Sequence, residues 1–398
     1  MKRMKSISRG LAAGVVSIGL AVASAISAAP ASAVTAGSLT SNFVSDYDNE
    51  YSAMSPDKSV LAVSYYQSDE IYLIDTATGT PTLVTDSNSD LYRPGGLVFS
   101  PDGSTLYVAN YASGSGNIVV INVATANVED VLTSGDISGP WTIAISPDGG
   151  VLYIADYYQD TIVEYDLSTD ATTSLASVSY PYQLFLSPDG STLYNVDYYG
   201  EIEVYDTATG TSTTTWTDLA GYSPVIYGAC TNSDMSMIYV VDNATGSLIS
   251  VSTADGSVVE TSAGDATTGA SYCSVSPDDS VILVSDESIG DSSSPDYIAT
   301  VPGQVSEYLA SDLSLVNSVA LANVAFAQQI QFSGDCTAWV TGYYGFGQTV
   351  ELDSGACAAS PELPNTGVDT SALAAAGGIA LIVLTAGTLL VVTRRRSA

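Results

Sequence analysis

The chain of 398 residues contains no histidine. A Ser-His-Asp triad, a Cys-His nucleophile pair and a histidine-ligated zinc or iron site are therefore all excluded. Hydrolysis by carboxylates alone needs only two Asp or Glu at a suitable separation. With 43 acidic residues present, sequence leaves that chemistry open and singles out no pair. We therefore expect no catalytic residues and favour binding over catalysis.

Basic residues are almost as scarce. Only nine Lys and Arg occur, and between the two ends of the chain only Lys58 and Arg93 remain. The net charge of the chain is −34, and it approaches about −40 once both basic ends are removed. Such a surface repels nucleic acid and anionic membranes, so neither is expected as a partner.

The four cysteines permit two disulfides in a secreted protein, in three possible pairings. We favour Cys230–Cys273, because these two lie at similar places in adjacent repeats. We also favour Cys336–Cys357, because these two bracket one predicted hairpin.

The first 33 residues have the features of a secretory signal peptide. Lys2, Arg3 and Lys5 precede an apolar, Ala-rich run, and Ala31-Ser32-Ala33 offers a small-residue cleavage site. We expect cleavage after Ala33.

Residues 358–398 form a linker, a pentapeptide, an apolar stretch and a basic tail. The pentapeptide is Leu363-Pro364-Asn365-Thr366-Gly367. The stretch 372–392 is long enough to span a bilayer as a helix, and Arg394 to Arg396 would hold its end on the cytoplasmic side.

This order of parts resembles the LPxTG sorting signal of Gram-positive surface proteins. The resemblance implies that a sortase cleaves after Thr366 and joins its carboxyl group to peptidoglycan. Sortase and peptidoglycan are thus the expected partners. The membrane is a partner only before sorting, and the mature protein is secreted and covalently attached to the cell wall.

Between the two ends, a motif of the form SPDG-x-x-LY recurs about every 45 residues. Its aspartates are Asp57, Asp102, Asp148, Asp189, Asp234, Asp278 and Asp335. Each unit reads as four short strands, and seven units at this period predict an all-β, seven-bladed β-propeller over residues 34–357. The units resemble the YVTN-type propeller repeat, a relative of NHL and WD repeats. The seventh unit lacks an outer strand, so we expect residues 40–46 to supply it and close the ring.

In propellers of this kind, the resemblance implies that the loops between second and third strands share one face with the segments leading into the inner strands. Those segments contain Tyr92, Arg93, Tyr180, Tyr182, Tyr222 and Tyr227 as well as Trp141. Aromatic rings there suit recognition of a glycan, peptide or protein ligand. The alternative is that the repeated rings only pack blade against blade. The candidate ligand-binding residues are Tyr65, Tyr66, Tyr111, Trp141, Tyr157, Tyr158, Tyr198, Tyr199, Tyr343 and Tyr344.

Two acidic loops offer weak candidates for Ca²⁺, which is the only cofactor considered. One contains Asp86 and Asp90, and the other, an insertion in the sixth unit, contains Asp291 and Asp296. Solvated loops explain both better than Ca²⁺ sites do, because acidic residues are so common in this chain, and no metal site is assigned.

The sequence thus predicts a sortase-anchored surface protein whose propeller is a binding or adhesion module. Two alternatives stay open, a wall-bound carboxylate-dependent glycoside hydrolase or lyase, and a structural coat protein without a dedicated ligand.

Overall fold

The computed structural model describes residues 34–41, 49–111, 114–217, 219, 226–263, 269–286, 303–321, 327–333, 337–342, 347–352, 379–384 and 388–393. These residues form seven four-stranded antiparallel sheets and one two-stranded hairpin. In each of the first six sheets, four strands that are consecutive in the chain lie side by side in sequence order. The protein is a seven-bladed, all-β propeller, as the repeat predicted.

The strands of the first three blades follow directly. Blade 1 contains β2 (Asn49–Met54), β3 (Val60–Tyr65), β4 (Glu70–Asp75) and β5 (Thr80–Leu83); blade 2 contains β6 (Pro94–Phe99), β7 (Thr105–Asn110), β8 (Asn117–Asn122) and β9 (Asn127–Leu132); blade 3 contains β10 (Pro140–Ile145), β11 (Val151–Asp156), β12 (Thr161–Asp166) and β13 (Ala171–Ser177).

The next three blades repeat the pattern. Blade 4 contains β14 (Pro181–Leu186), β15 (Thr192–Asp197), β16 (Ile202–Asp206) and β17 (Thr211–Trp216); blade 5 contains β18 (Ile226–Thr231), β19 (Met237–Asp242), β20 (Ser247–Ser252) and β21 (Val258–Thr261); blade 6 contains β22 (Ala270–Val275), β23 (Val281–Asp286), β24 (Gln304–Leu309) and β25 (Leu315–Ala320).

Blade 7 is assembled from both ends of the ring. It contains β26 (Ala327–Phe332), β27 (Thr337–Gly342), β28 (Gly347–Leu352) and, as its outer strand, β1 (Val34–Ser41). The pairing runs from Val34 opposite Leu352 to Ser41 opposite Gly347. The closing strand therefore lies at 34–41 and not at the predicted 40–46.

The hydrophobic core is a set of layers between neighbouring blades, one for each of the seven blade boundaries. Strand β11 shows why. Leu152 and Ile154 pack against blade 2, whereas Tyr153 and Ala155 pack against blade 4. Successive side chains point to opposite faces of a strand, and both faces of a blade are covered. The second strands are therefore mostly apolar on both faces and do not alternate regularly with polar residues.

The SPDG turns join the first and second strands of each blade and pack against one another at one end of the propeller. In the turn of blade 3, Ser146 and the backbone N–H of Gly150 donate to Asp148 Oδ1 at 2.6 and 3.0 Å. Gly149 has a φ of +74°, and a Cβ placed there would lie 3.1 Å from Pro101 Cδ of the preceding blade. The motif therefore recurs because each turn packs on the next.

The C-terminal apolar stretch differs from the expected helix. Its described parts form an antiparallel hairpin of β29 (Ile379–Leu384) and β30 (Thr388–Thr393). Branched Ile, Val and Thr side chains favour strands, and pairing two strands satisfies many backbone groups. A single span in hydrocarbon satisfies all of them only as a helix, so the sorting helix stays a prediction for the membrane-bound precursor. No helix among the described residues is long and apolar enough to cross a bilayer.

Candidate functional site

The loops after the second strands of blades 1 to 4 lie at the end of the propeller opposite the SPDG turns. Together with the segments that precede the inner strands, they bring aromatic rings into one continuous surface. We call this surface the tyrosine face; it consists of Tyr66, Tyr92, Tyr111, Trp141, Tyr157, Tyr180, Tyr182, Tyr198 and Tyr199.

Trp141, on the inner strand of blade 3, is the centre of the surface and is half-buried. Five tyrosine rings surround its indole. Their centroid distances from it are 5.9 Å for Tyr51, 6.1 Å for Tyr66, 5.6 Å for Tyr111, 6.0 Å for Tyr157 and 5.9 Å for Tyr182. Edge-on and tilted arrangements at these separations are favourable for aromatic pairs, so the rings support one another in these positions.

From Trp141 the rings continue outward over blade 4. Tyr157 lies 5.6 Å from Tyr180, Tyr180 lies 5.4 Å from Tyr199, and Tyr199 lies 5.5 Å from Tyr198. Tyr180 and Tyr199 are 40% and 47% exposed, although they pack against each other. The surface thus grades from buried packing at its centre to exposed rings at its edge.

On the blade 1 side, the surface ends in a cation. The guanidinium carbon of Arg93 lies 5.4 Å from the centroid of Tyr66 and 5.5 Å from that of Tyr92. These distances are within the range of cation–π attraction.

In blades 2 to 4, a polar residue at the end of the second strand shapes the loops. In blade 3, Asp156 is fully buried and accepts hydrogen bonds from the backbone N–H groups of Ser138, Gly139, Tyr158 and Gln159. The equivalent residues in blades 2 and 4 are Asn110 and Asp197. Asn110 accepts from the Tyr92 N–H, and Asp197 accepts from the Tyr199 N–H. The final Asp or Asn of the repeat motif therefore positions the tyrosine loops.

Asp197 is in a less favourable setting than its equivalents. Burial, together with nearby Glu201 and Glu203, raises its pKa to about 6. Burial also raises the pKa of Tyr157, and the surrounding tyrosines add to the effect. In both groups the main cause is burial, which disfavours the charged form.

Two aspartates hold the exposed rim in place, and sequence reasoning missed them. Asp69 of blade 1 accepts from the Arg93 N–H at 2.7 Å, and Asp160 of blade 3 accepts from the Tyr180 N–H at 3.1 Å. Both of these bonds join one blade to the next. The signal in the sequence is an Asp four residues after the last residue of the second strand, visible only once blades are aligned. Tyr51 was missed as well, because it lies on an inner strand and not in a loop.

Most of the predicted ligand-binding residues come together on this surface. Those that do are Tyr66, Tyr111, Trp141, Tyr157, Tyr198 and Tyr199. Tyr158 is 57% exposed beside Gly139 and makes no ring contact within the described part of the chain. Tyr343 and Tyr344 lie outside the described residues.

Tyr65 does not belong to this surface. It is only 3% exposed, and it packs in the layer between blades 1 and 7 with Leu61 and Trp339. Its ring contacts Tyr72 at 5.6 Å, and burial raises its pKa. Tyr65 is the last residue of β3, so its side chain belongs to the strand pattern and not to the loop.

The remaining predicted sites divide between described and undescribed residues. Cys230 and Cys273 form a disulfide that joins the inner strands of blades 5 and 6, with a Cα–Cα distance of 5.6 Å. Cys336, Cys357 and residues 363–367 lie outside the described part of the chain, so their roles stay predictions.

The Ca²⁺ candidates gain no support. Asp86 directs its two carboxylate oxygens at the backbone N–H groups of Asn88 and Leu91, so it shapes its own loop. Asp90 accepts, through its carbonyl, from the Asn110 side chain. Among the described residues there is no group of three or more acidic or cysteine side chains that could hold a metal ion. Asp291 and Asp296 are outside those residues.

Two clefts open elsewhere on the surface. One, of about 420 Å³, lies between the outer parts of blades 4 and 5 and contains Tyr194 and Trp216. The other, of about 470 Å³, lies beside the outer strand of blade 1 and borders the tyrosine face at Asp69. The tyrosine face itself is a rim of rings, which fits an extended ligand better than a small enclosed one.

Comparison with known families now adds to this geometry. Residues 358–398 match the LPXTG cell wall anchor motif. The protein is a cell-wall-anchored surface protein. Residues 41–217 match the SMP-30/Gluconolactonase/LRE-like region, which covers blades 1 to 4 from β2 to β17 and so includes all of the tyrosine face. The more specific YVTN assignment stays a prediction.

Among solved structures, Kuenenia stuttgartiensis hydrazine synthase has a similar fold, with a TM-score of 0.62 and 17% sequence identity. The similarity covers 80% of this surface protein and 98% of the other chain. At this identity it supports the propeller architecture alone. No curated protein matches the sequence.

Proposed function

We propose that the propeller is a wall-displayed binding module and that its tyrosine face binds an extended glycan. The observation that carries the proposal is the unbroken series of ring contacts from Tyr66 to Tyr199, which crosses four blades. Rings needed only for packing between two blades would be buried in separate layers, as Tyr65 is.

The exposed rings supply the binding surface. Tyr92, Tyr158, Tyr180 and Tyr199 are each 40 to 57% exposed, and in three of them the ring also packs against another aromatic or Arg93. The apolar C–H face of a sugar ring packs well on such a ring. Because the tyrosines are already held in place, binding would cost little side-chain entropy.

Covalent anchoring to the cell wall favours a protein that is displayed at the cell surface over one that is released into the medium. A protein joined covalently to peptidoglycan is held at the cell surface, where many copies together can bind a polymeric ligand. Multivalent attachment raises the overall affinity without any new contact.

The test is a binding screen with protein released from the cell wall, against arrays of glycans and of extracellular-matrix peptides, scored for binding and for cleavage. Tyr180→Ala combined with Tyr199→Ala should weaken glycan binding by roughly 10- to 100-fold, since packed aromatic side chains dominate such interfaces.

The matched control is Leu315→Ala, because Leu315 is 57% exposed on the outer strand of blade 6, away from the tyrosine face. It should leave binding unchanged. Binding to peptides and to no glycan would replace the proposed ligand class. Binding that survives the double tyrosine variant would overturn the proposed surface.

Hydrolysis is the second candidate, because the matched family description includes gluconolactonase. Asp197 has a pKa near that of a general acid and lies beneath Tyr198 and Tyr199. Its Oδ1, however, accepts from two backbone N–H groups and the residue is 5% exposed, which favours a role in building the loop. Cleavage of a lactone or glycan in the same screen would favour the enzyme.

A further inference from the structure

Arg93 is the only basic residue on the tyrosine face. Between residues 10 and 393 the chain contains one other cation, Lys58, and this lies in the SPDG turn of blade 1 at the opposite end of the propeller. Arg93 precedes β6, at the edge of the surface that contains Tyr66 and Tyr92.

The guanidinium of Arg93 is held by rings and not by a carboxylate. It lies over Tyr66 and Tyr92, and Tyr66 also contributes a side-chain hydrogen bond. Within the described residues Arg93 forms no ion pair, although acidic residues far outnumber basic ones. Asp69 is close, but its Oδ1 accepts from the backbone N–H of Arg93.

The fold does not require an arginine at this position. The carbonyl of Arg93 accepts from the Tyr111 N–H, as those of Gly139 and Tyr180 accept from Tyr157 and Tyr198 in the next two blades. Residues 93, 139 and 180 are therefore equivalent, and three different side chains occupy the position.

The backbone of Arg93 is strained. Its φ is +50°, a left-handed conformation that disfavours any residue other than glycine, and Pro94 follows it. Tyr180 has a φ of +52° at the equivalent place and also projects onto the tyrosine face. Glycine would relieve this strain, yet the chain has an arginine here.

We infer that Arg93 recognises an anionic group on the ligand, so that the tyrosine face takes a glycan with carboxylate or sulfate substituents. The inference rests on the proposed glycan-binding function and specifies its ligand. Arg93 is a specificity residue: its planar guanidinium pairs with two oxygens of the acid, while sugar rings pack along Tyr66, Tyr111 and the rings beyond.

The high negative charge of the protein does not oppose this role. At physiological ionic strength, charges more than about 8 Å from the site are largely screened. A hydrogen-bonded guanidinium beside aromatic rings acts at much shorter range and binds carboxylate or sulfate through two parallel bonds. A sugar unit with a single charge can therefore bind through its short-range contact with Arg93. A densely charged polymer would instead be repelled by the negative charge of the whole surface.

The experiment uses the full chain, expressed with its anchor and released from the wall, and pairs of oligosaccharides that differ in one group. One pair is an oligogalacturonate and its methyl ester; the other is a 6-sulfated galactan oligosaccharide and its unsulfated form. We expect one acidic member to bind 10- to 100-fold more tightly than its neutral partner, with an advantage that shrinks as salt is raised.

Three variants test the residue. Arg93→Gln should remove the preference for the acidic member, and Lys58→Gln, the matched cation at the other end, should leave it intact. Arg93→Gly relieves the strained φ, so its melting temperature should equal or exceed that of the parent while the preference is still lost. A purely structural arginine would instead lower the melting temperature in this variant.

The outcomes separate the two proposals. Equal binding of acidic and neutral members that still depends on Tyr180 and Tyr199 would overturn the role of Arg93 and leave glycan binding standing. A preference that persists in Arg93→Gln would also overturn it. Absence of binding to every probe would overturn the proposed function and this inference together. Preference within the uronate pair, or within the sulfate pair, identifies the acid.

Discussion

Blades 1 to 4, which we call the first arc, and blades 5 and 6, the second arc, have the same four-stranded sheets. They differ in the loops that follow their second strands. In the first arc, the loops after the second strands carry tyrosines and meet around Trp141. In blade 5 the same loop is Asn243-Ala244-Thr245, and it is held by Asp242 without any aromatic residue. The core layers of both arcs are alike, so the difference lies in what the loops do and not in how the blades fold.

The two arcs are also held together differently. Blades 2 to 4 have glycine at the left-handed position of the SPDG turn, and blade 1 has Lys58 with a φ of +61°. Blades 5 and 6 have Met235 and Asp279 there, each with a φ of +58°. In return, blades 5 and 6 are joined by the disulfide Cys230–Cys273. Both turns of the second arc thus lack the favourable glycine and are supplemented by a covalent link, whereas three of the four turns of the first arc have the glycine.

The largest expected effect is that of removing this covalent link. Replacing Cys230 and Cys273 together by serine should lower the free energy of unfolding by about 4 kcal/mol, because the bond closes a loop of 43 residues in the unfolded chain. Thermal unfolding of the variant and parent measures the loss. Hydrogen exchange should show faster opening in blades 5 and 6 than in blades 2 to 4. Uniform loosening around the ring would contradict the division into two arcs.

The division between the arcs was only partly predictable from the sequence. The SPDG period identifies seven blades because turn chemistry is local: Asp148 and Gly149 determine their own turn. The identity of the closing strand is a question of long-range register, and the prediction missed its position at Val34–Ser41 by several residues. Alignment of the repeats could find the cysteine pair, since Cys230 and Cys273 lie at similar places in adjacent units.

The tyrosine face was predictable in its general composition and not in its detail. Sequence order suggested that Tyr65 and Tyr66 would act together, but neighbouring residues at a strand end point in opposite directions, and Tyr65 is buried. The bracing of Arg93 by Asp69 depends on contact between two blades, for which no local pattern exists.

The second-largest expected effect comes from comparing Asp156 of blade 3 with Asp197 of blade 4. Asp156 uses both carboxylate oxygens to accept backbone N–H groups, so Asp156→Asn would turn one acceptor into a donor facing Ser138 and Gly139. The free energy of unfolding should fall by about 2 kcal/mol, because buried N–H groups lose their partner. Chemical denaturation measures the change, and Asn110 shows that the residue type itself is tolerated where a carbonyl can accept its amide.

Asp197→Asn in blade 4 should have the opposite effect and raise the free energy of unfolding above pH 6. Only Oδ1 accepts from Tyr199 and Glu201, so asparagine can keep both bonds. The raised pKa, about 6 instead of 3.8, means that the folded state binds the extra proton. The contribution of Asp197 to stability is therefore complete below pH 4 and is lost as the pH rises through 6.

The variant should accordingly be more stable than the parent above pH 6, by on the order of 1 kcal/mol, and the advantage should vanish below pH 4. Denaturation of both proteins across this pH range measures the difference between their free energies of unfolding. The titration of the many other carboxylates is common to both proteins and cancels in this difference. A variant less stable than the parent at pH 7 would show that the charge of Asp197 is needed, and the contrast with Asp156 would disappear.

The smallest effect separates backbone strain from steric contact in the SPDG turns. Gly103 and Gly190 have φ values of +72° and +74°, but a Cβ at Gly103 would lie 3.6 Å from Pro56 Cδ, and one at Gly190 only 2.9 Å from Pro147 Cδ. Gly103→Ala should therefore cost about 1 kcal/mol from the left-handed backbone alone. Gly190→Ala should cost roughly 1 kcal/mol more, because the turn must also move away from the preceding blade. Urea denaturation of both variants gives the comparison. Equal losses would mean that the Pro–Gly contact between successive turns adds nothing, and the first arc would then depend on its core layers alone.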